Sequence, residues 1–322
     1  MNIFAPLQWF ADWLTYSVFS ITPKSLLAGA VIFFIFDTLK IFILLAVIIF
    51  AVSLIRSCLP PEKIRYILAG KNKYTGNVVA SLLGIITPFC SCSAIPLFLG
   101  FVQAGVPLGT TFSFLVASPM INEVALVLLL GLFGWKIALI YIISGLIIAI
   151  LSGIIIGKMK MESLVEPFVY QSVAHGSADL PQTTKRERVI YAKNYTIDIL
   201  EKVWPYILIG IGVGAWIHGY VPTDFLAKYA GNGKWYGVPL AVLIGIPLYS
   251  NAAGVIPLVS ALTEKGLSMG TTLAFMMSVT ALSLPEFMIL KRVMKTRLIL
   301  IFAGIVGIGI MFTGYLFNFI LK

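Results

Sequence analysis

Long apolar runs separated by short polar segments dominate the pattern of this chain. The runs lie at 41–55, 77–102, 108–132, 137–157, 203–217, 238–262, 269–290 and 298–321. Most of them approach or exceed the roughly 17 to 25 residues that a helix needs to cross a bilayer. Two runs, 77–102 and 238–262, are interrupted near their centres by prolines and small polar residues. The pattern predicts an all-α polytopic membrane protein.

The first 26 residues are predicted to form a separate interfacial helix. Trp9, Trp13 and Tyr16 lie at helical spacing, as in helices that anchor in the headgroup region through aromatic side chains. The segment has neither the positive n-region nor the small-residue cleavage site of a signal peptide. An additional membrane span is the alternative.

A shift of 161 residues lays the second half of the chain on the first. The matched pairs include Pro61 with Pro222, Gly70 with Gly231, Gly84 with Gly245, Ile95–Leu97 with Ile256–Leu258, and Gly109–Thr111 with Gly270–Thr272. So many matches in one frame predict two homologous halves. The predicted units are the N-terminal helix at 1–26, a membrane repeat at 27–157, a charged cytoplasmic linker at 158–194 and a second membrane repeat at 195–322.

The orientation of the halves depends on whether 77–102 and 238–262 cross the membrane. If both cross, the halves run parallel; if both are re-entrant hairpins, each half has three spans and the halves are inverted. With hairpins, 16 basic residues share one face and 6 the other, with Lys40 inside a span; full crossings divide them 12 against 10. The positive-inside rule therefore favours inverted repeats, an arrangement common in secondary transporters.

Composition excludes several classes of protein. The chain is 59% hydrophobic and 11% charged, whereas a soluble domain carries about 25% charged residues. Its net charge of +10 is assigned to loops that flank the spans and not to nucleic-acid binding. The sequence has no P-loop, and its 3 cysteines do not form a disulfide framework. We therefore predict neither an enzyme nor a cofactor.

The stretch Thr87–Pro96 carries the candidate chemistry of the first half. It places Pro88, Cys90, Ser91, Cys92 and Ser93 inside an apolar run. Non-helical backbone is tolerated at membrane depth only where protein or a water-filled cavity satisfies it. Because thiolates prefer soft ions, these five residues are predicted to bind substrate, with Cys90 and Cys92 as ligands of a soft metal or metalloid. Packing as small apolar side chains is the alternative for the cysteines.

The second half offers a different set of groups at the matching place. Tyr249 and Asn251 stand where Cys90 and Cys92 stand, and Ser250 matches Ser91. We predict that Tyr249, Ser250 and Asn251 line the other side of the same midplane site. Asn251 could instead hydrogen-bond backbone groups freed at the break.

Ionisable residues within apolar runs are candidates for ion coupling. Glu123 follows Asn122 and Pro119, and Glu286 directly follows Pro285. A charge at bilayer depth costs several kcal/mol, so such residues mark ion or proton pathways. We predict that Glu123, Asn122 and Glu286 couple transport to protons and that both prolines break their helices. A glutamate that reaches water near a span end is the alternative.

Three motifs resemble a known family: Thr87–Phe98, Gly105–Thr111 and Ser118–Asn122. They are similar to the predicted permease family that includes the ArsP-type organoarsenical efflux permeases, the YraQ-like group. The resemblance covers nearly the whole chain. It implies a multi-pass permease of the cytoplasmic membrane, and some members export trivalent arsenicals, which are thiophilic.

Together these features predict a secondary-active permease that exports a small thiophilic solute, such as a trivalent arsenical or a soft metal ion. The expected partners are that solute and the lipid bilayer, with no nucleic acid, and a homo-oligomer is left open. A membrane thiol–disulfide electron conduit is the alternative, although residues 195–322 contain no cysteine. A channel is a third possibility.

Overall fold

The structure is a computed structural model that describes residues 4–23, 25–58, 68, 74–87, 91–121, 123–167, 169, 185–220, 234–248, 259, 262–263 and 266–321. The described residues are almost entirely helical, as predicted. The helices are α1 (Ala5–Trp13), α2 (Leu26–Cys58), α3 (Thr75–Ile86), α4 (Ser91–Gln103), α5 (Leu108–Met120), α6 (Glu123–Phe133), α7 (Trp135–Lys158), α8 (Lys185–Tyr220), α9 (Gly237–Gly245), α10 (Met269–Ala281), α11 (Leu284–Leu290) and α12 (Thr296–Ile320).

Four segments in the described part of the chain are long and apolar enough to cross a bilayer. They are Leu26–Ala51, Trp135–Lys158, Met269–Leu290 and Thr296–Ile320. In α7 the exposed stripe is Leu139, Ile143, Ile147, Leu151 and Ile155, whereas Tyr141 and Ser144 are buried. An apolar exposed face of this kind suits contact with lipid. The protein is therefore an all-α polytopic membrane protein.

Two fully packed helices form the centre of the molecule. All 13 residues of α5 are buried, and so are all residues of α10 except Met269. Helix α5 packs against α3, α4 and α7, α10 packs against α9 and α12, and α5 and α10 touch each other. The ring centroids of Phe112 and Phe302 are 5.4 Å apart and join the two halves. The core thus lies where the predicted repeats meet.

Helices α3, α4 and α9 are too short to cross the membrane individually. They contain 12, 13 and 9 residues, or roughly 18, 20 and 14 Å at 1.5 Å per residue, against a hydrocarbon core of about 30 Å. Helix α3 buries Gly76, Ala80 and Gly84 and exposes Leu82 and Ile86. A pair of short helices is what the hairpin interpretation of 77–102 expects.

Close helix contacts recur at the predicted spacing of 161 residues. A Cβ added to Gly109 would fall against the carbonyl oxygen of Gly153, and one added to Gly270 would fall against that of Gly314. Gly105 and Gly266 both have positive φ, at 76° and 87°, in turns closed by matching backbone bonds. These pairs of equal contacts support the predicted internal repeat.

A backbone bridge connects the start of the linker to the loop before α12. Val165 pairs antiparallel with Met294, the Glu166 amide donates to the Val293 carbonyl oxygen at 2.8 Å, and the Lys295 amide donates to Leu164 at 2.8 Å. The two loops therefore share one face. If the apolar run 203–217 of α8 crosses the membrane once, as the sequence predicts, and the α10–α11 pair crosses once, this shared face fits the hairpin interpretation of 238–262.

The linker predicted at 158–194 is not simply a solvated loop. Met161, Val165 and Val169 are buried, and α8 begins at Lys185, within the predicted linker. Charge alone could not reveal this, because Val165 pairs with Met294 in a loop that is distant in the sequence.

At the N-terminus, α1 is continued by a π-helical turn at Leu14–Val18 and packs on α2. Trp9, Trp13 and Tyr16 are exposed, in keeping with a lipid-facing surface, and Ala11 is buried. The Lys40 amine lies 5.7 Å from the ring centroid of Phe4. This contact is about 21 Å along α2 from Leu26, so it favours a helix beside the first span over one lying flat in the headgroup region.

Lys40 also contacts Asp37, with Nζ 3.9 Å from Oδ1. Both side chains are partly buried inside α2. Asp37 lies within the candidate span Leu26–Ala51, whereas Asp198, which matches it at a shift of 161 residues, is exposed on α8. A pair of opposite charges at this depth lowers the cost of burying either one.

Candidate functional site at two helix breaks

The first helix break, called break one, lies between Met120 at the end of α5 and Glu123 at the start of α6. Ile121 leaves the helical conformation with φ −113° and ψ 77°. The buried Tyr141 hydroxyl donates to the carbonyl oxygen of Met120 at 2.7 Å. A side chain on α7 thereby satisfies a backbone group freed by the break.

Break two lies between Ala281 at the end of α10 and Leu284 at the start of α11. Leu282 has φ −134° and ψ 29°, and Ser283 is extended. The Leu284 amide donates to the carbonyl oxygen of Ile246, just after α9, at 2.9 Å. Both helices therefore break beside Pro119 and Pro285, as the sequence predicted.

Glu286 is the one predicted coupling residue whose side chain the structure describes. It is 0% exposed, and neither carboxylate oxygen has a hydrogen-bond partner in the described part of the chain. The hydroxyl of Ser283 is also buried and unpartnered. The alternative of a glutamate that reaches water at a span end is therefore wrong for Glu286.

The spacing of Ser283 and Glu286 is that of a capping box, in which each side chain bonds the other residue's backbone amide. No such side-chain cap is made at Ser283. A local structural role therefore does not explain these two polar groups.

The stretch Thr87–Pro96, called the cysteine stretch, includes the start of α4 at Ser91. Ser91, Cys92 and Ser93 form the first turn of that helix, and their side chains fall outside the described part of the structure, as do Pro88 and Cys90 altogether. Helix α3 ends with the Thr87 hydroxyl donating to the carbonyl oxygens of Leu83 and Gly84 at 2.8 and 3.2 Å. The helix therefore ends directly before the cysteine stretch.

Helix packing brings α4, which begins within the cysteine stretch, next to α11, the helix that follows break two. Helix α11, which carries Glu286, packs against α4 and α8. Glu123 begins α6, which packs against α7, and its side chain is outside the described part. Asn122, Tyr249, Ser250 and Asn251 also lie outside the described residues. The described structure thus joins α4 with α11, the helix that carries Glu286, and leaves the other predicted contacts as predictions.

Metal binding by the cysteines stays a prediction. Within the described ranges, no group of three or more His, Cys, Asp or Glu side chains could hold a metal ion. Cys90 is outside those ranges.

Sequence reasoning missed Tyr141 and Ser283. Tyr141 matches Phe302 at the shift of 161 residues. A tyrosine in an apolar run, at a position where the other half has phenylalanine, could have indicated a hydroxyl with a specific partner. Ser283 is visible in the sequence as the first residue of Ser-Leu-Pro-Glu, but that motif predicts a cap, which is not formed.

Comparison with known proteins identifies related chains. A family model described as a predicted permease matches residues 26–319. The UPF0718 protein MJ0584 of Methanocaldococcus jannaschii is 23% identical over 314 residues, covering 80% of this chain and 86% of that protein. A Streptococcus mutans protein named "Putative two-component membrane permease complex subunit" is 27% identical over 292 residues, covering 89% and 94%. The UPF0718 protein YraQ of Escherichia coli is 22% identical over 260 residues, covering 80% and 71%. No solved structure matches the chain.

Proposed function

The chain belongs to the predicted permease family, and from this premise we propose that it is a secondary-active permease that exports a small thiophilic solute from the cytoplasm. The solute class is trivalent arsenicals or soft metal ions. Cys90 and Cys92 bind it, and Pro88, Ser91, Ser93, Tyr249, Ser250 and Asn251 complete the midplane site. Glu123, Asn122 and Glu286 couple its movement to an ion.

The contact between α4 and α11 carries this proposal. Helix α4 begins with the Cys92 turn, and α11 holds a fully buried carboxylate with no described partner. Soft thiolate sulfur suits a thiophilic solute, whereas a hard carboxylate suits a proton or a hard cation. Because the thiol-bearing helix α4 packs against α11, which carries the Glu286 carboxylate, binding of the solute can influence binding of the ion.

The first test measures accumulation of methylarsenite, arsenite and antimonite in everted membrane vesicles. We expect the wild-type chain to accumulate at least one of them and Cys90→Ser/Cys92→Ser to lose roughly tenfold or more of the initial rate, because soft ligands are replaced by hard ones. Cys58→Ser is the matched control, since Cys58 ends α2 and is outside the proposed site. Unchanged transport in the double variant refutes the binding role of the cysteines.

The same vesicles separate the alternatives. If the Cys90 and Cys92 thiols cycle between reduced and oxidised forms with a thioredoxin partner and no solute accumulates, the electron conduit replaces the permease. If transport occurs in membranes but is lost when the purified chain is reconstituted, a partner subunit is required. The second outcome would parallel the name of the Streptococcus mutans relative.

A further inference from the structure

Break two leaves backbone carbonyl oxygens without their helical donors. In a continuous helix, the carbonyls of Thr280 and Ala281 would accept the amides of Leu284 and Pro285. The Leu284 amide instead donates to Ile246, and proline has no N–H. The residue that matches Tyr141 at a shift of 161 is Phe302, which has no hydroxyl. The position at break two that matches Tyr141 therefore holds no hydroxyl donor.

Two buried side chains add oxygen atoms at the same break. The Ser283 hydroxyl and both Glu286 carboxylate oxygens have no hydrogen-bond partner in the described part of the chain. Ser283 directly precedes α11 and Glu286 lies in its first turn, yet these two side chains do not bond each other. Their oxygen atoms are therefore not committed to one another.

No described side chain of the neighbouring helices balances the charge of Glu286. Helix α11 packs against α4 and α8. The sequence of α4 contains no charged residue, and no basic side chain of the described part of α8 forms an ion pair with Glu286. An uncompensated carboxylate costs several kcal/mol in such surroundings. A bound cation removes this cost.

We propose that break two binds one Na⁺ ion through the Glu286 carboxylate, the Ser283 hydroxyl and the carbonyl oxygens of Thr280 and Ala281. These are hard oxygen ligands, which select hard cations, and a single carboxylate balances a single positive charge. The ion lies at the C-terminal end of α10, where the helix dipole is negative. Unwound backbone carbonyls have this role in other secondary transporters.

The number of oxygens at break two distinguishes Na⁺ from a proton. A proton on Glu286 uses one carboxylate oxygen, whereas Na⁺ also uses the Ser283 hydroxyl and the two freed carbonyls as ligands. Oxygens that ligate one cation at about 2.4 Å lie roughly 3.4 Å apart at right angles and farther at wider angles, so they need not hydrogen-bond each other. The proposal rests on the permease function, because it names the ion that Glu286 couples.

The test is a thermal unfolding titration of the purified full chain in detergent, without any transported solute. NaCl is exchanged for choline chloride at constant ionic strength and pH. We expect the unfolding midpoint of the wild type to rise with Na⁺, because a ligand that binds only the folded state stabilises it. The unfolding midpoint of Glu286→Gln should not rise with Na⁺, and in choline chloride it should be no lower than that of the wild type. Ser283→Ala should need about tenfold more Na⁺, as for the loss of about 1.4 kcal/mol of binding free energy.

Glu201→Gln, which changes an exposed carboxylate on α8, is the matched control and should respond like wild type. A response that choline reproduces, or one that Glu286→Gln retains, overturns the proposal. Stabilisation by acid with no effect of Na⁺ also overturns it in favour of a proton. If Glu286→Gln fails to fold, Ser283→Ala decides. If the wild type responds to Na⁺ but exports none of the tested solutes, the proposed solute is refuted and the Na⁺ site is not.

Discussion

At break one the Tyr141 hydroxyl donates to the Met120 carbonyl oxygen at 2.7 Å, whereas the matching position near break two is Phe302, which cannot donate. The helices around the two breaks nevertheless pack in similar ways. Helices α5 and α7 approach at Gly109 and Gly153, and α10 and α12 approach at Gly270 and Gly314. The halves share their apolar packing and differ in the polar groups at their breaks.

This difference shows how two halves with similar helix packing can differ in chemistry. Close glycine contacts constrain the backbone, because a side chain there would strike the neighbouring helix. A hydroxyl at an aromatic position changes little volume but decides whether a freed carbonyl is satisfied. At break one the tyrosine hydroxyl satisfies the freed carbonyl, whereas at break two the oxygen atoms stay available for the proposed ion.

The largest effect is expected from filling the shared glycine contacts. Gly109→Val and Gly270→Val should each lower the free energy of unfolding by about 3 kcal/mol or more, because the added atoms meet backbone. Size-exclusion chromatography of heated samples measures this loss of folded protein. Gly304→Ala is the control, since a Cβ at Gly304 would meet nothing within 4 Å. If only one of the two variants loses folded protein, the two glycine contacts are not equivalent.

Removal of the hydroxyl at break one should have the next largest effect. Tyr141→Phe leaves the Met120 carbonyl oxygen unsatisfied in a buried site, so we expect a loss of about 1 to 3 kcal/mol in the free energy of unfolding. Reversible denaturation followed by tryptophan fluorescence tests it. Tyr315→Phe is the matched control, because its hydroxyl bonds the Trp235 carbonyl oxygen at 2.6 Å on an exposed surface. Equal losses would show that the buried bond has no special role at break one.

A smaller effect is expected from the helix contact that supports break two. The buried Ser278 hydroxyl donates to the Val242 carbonyl oxygen of α9 at 2.7 Å. Ser278→Ala should cost about 0.6 kcal/mol and at most about 1.7 kcal/mol, as for interhelical bonds in membranes. The thermal midpoint gives the measurement. Ser152→Ala, which removes a bond within α7 to Ala149, should cost less; the reverse order would refute the assigned role.

The smallest effect is expected at break two itself. Ser283→Ala in Na⁺-free buffer should leave the free energy of unfolding unchanged or raise it by up to about 1 kcal/mol, because an unpartnered buried hydroxyl is removed. Denaturant unfolding in choline chloride measures it. A loss as large as that of Ser278→Ala would mean that Ser283 has a partner in the folded protein.

Local features of the sequence were sufficient for several elements of the fold. The apolar runs predicted a helical membrane protein, and Pro119 and Pro285 predicted the two breaks, which the structure confirms. These features depend on groups within one turn of the chain, because proline lacks its own N–H and hydropathy is a property of each side chain. Glu286 was likewise identified from its place in an apolar run.

The tertiary structure decided which groups meet at the breaks. Tyr141 reaches Met120 from another helix, Leu284 turns to Ile246 and Val165 pairs with Met294. None of these partners follows from local sequence rules, because each depends on how distant helices pack. The sequence alone determined the class of the protein and where its helices break. Packing decided that a hydroxyl closes one break and that the other holds a buried carboxylate with no partner among the described residues.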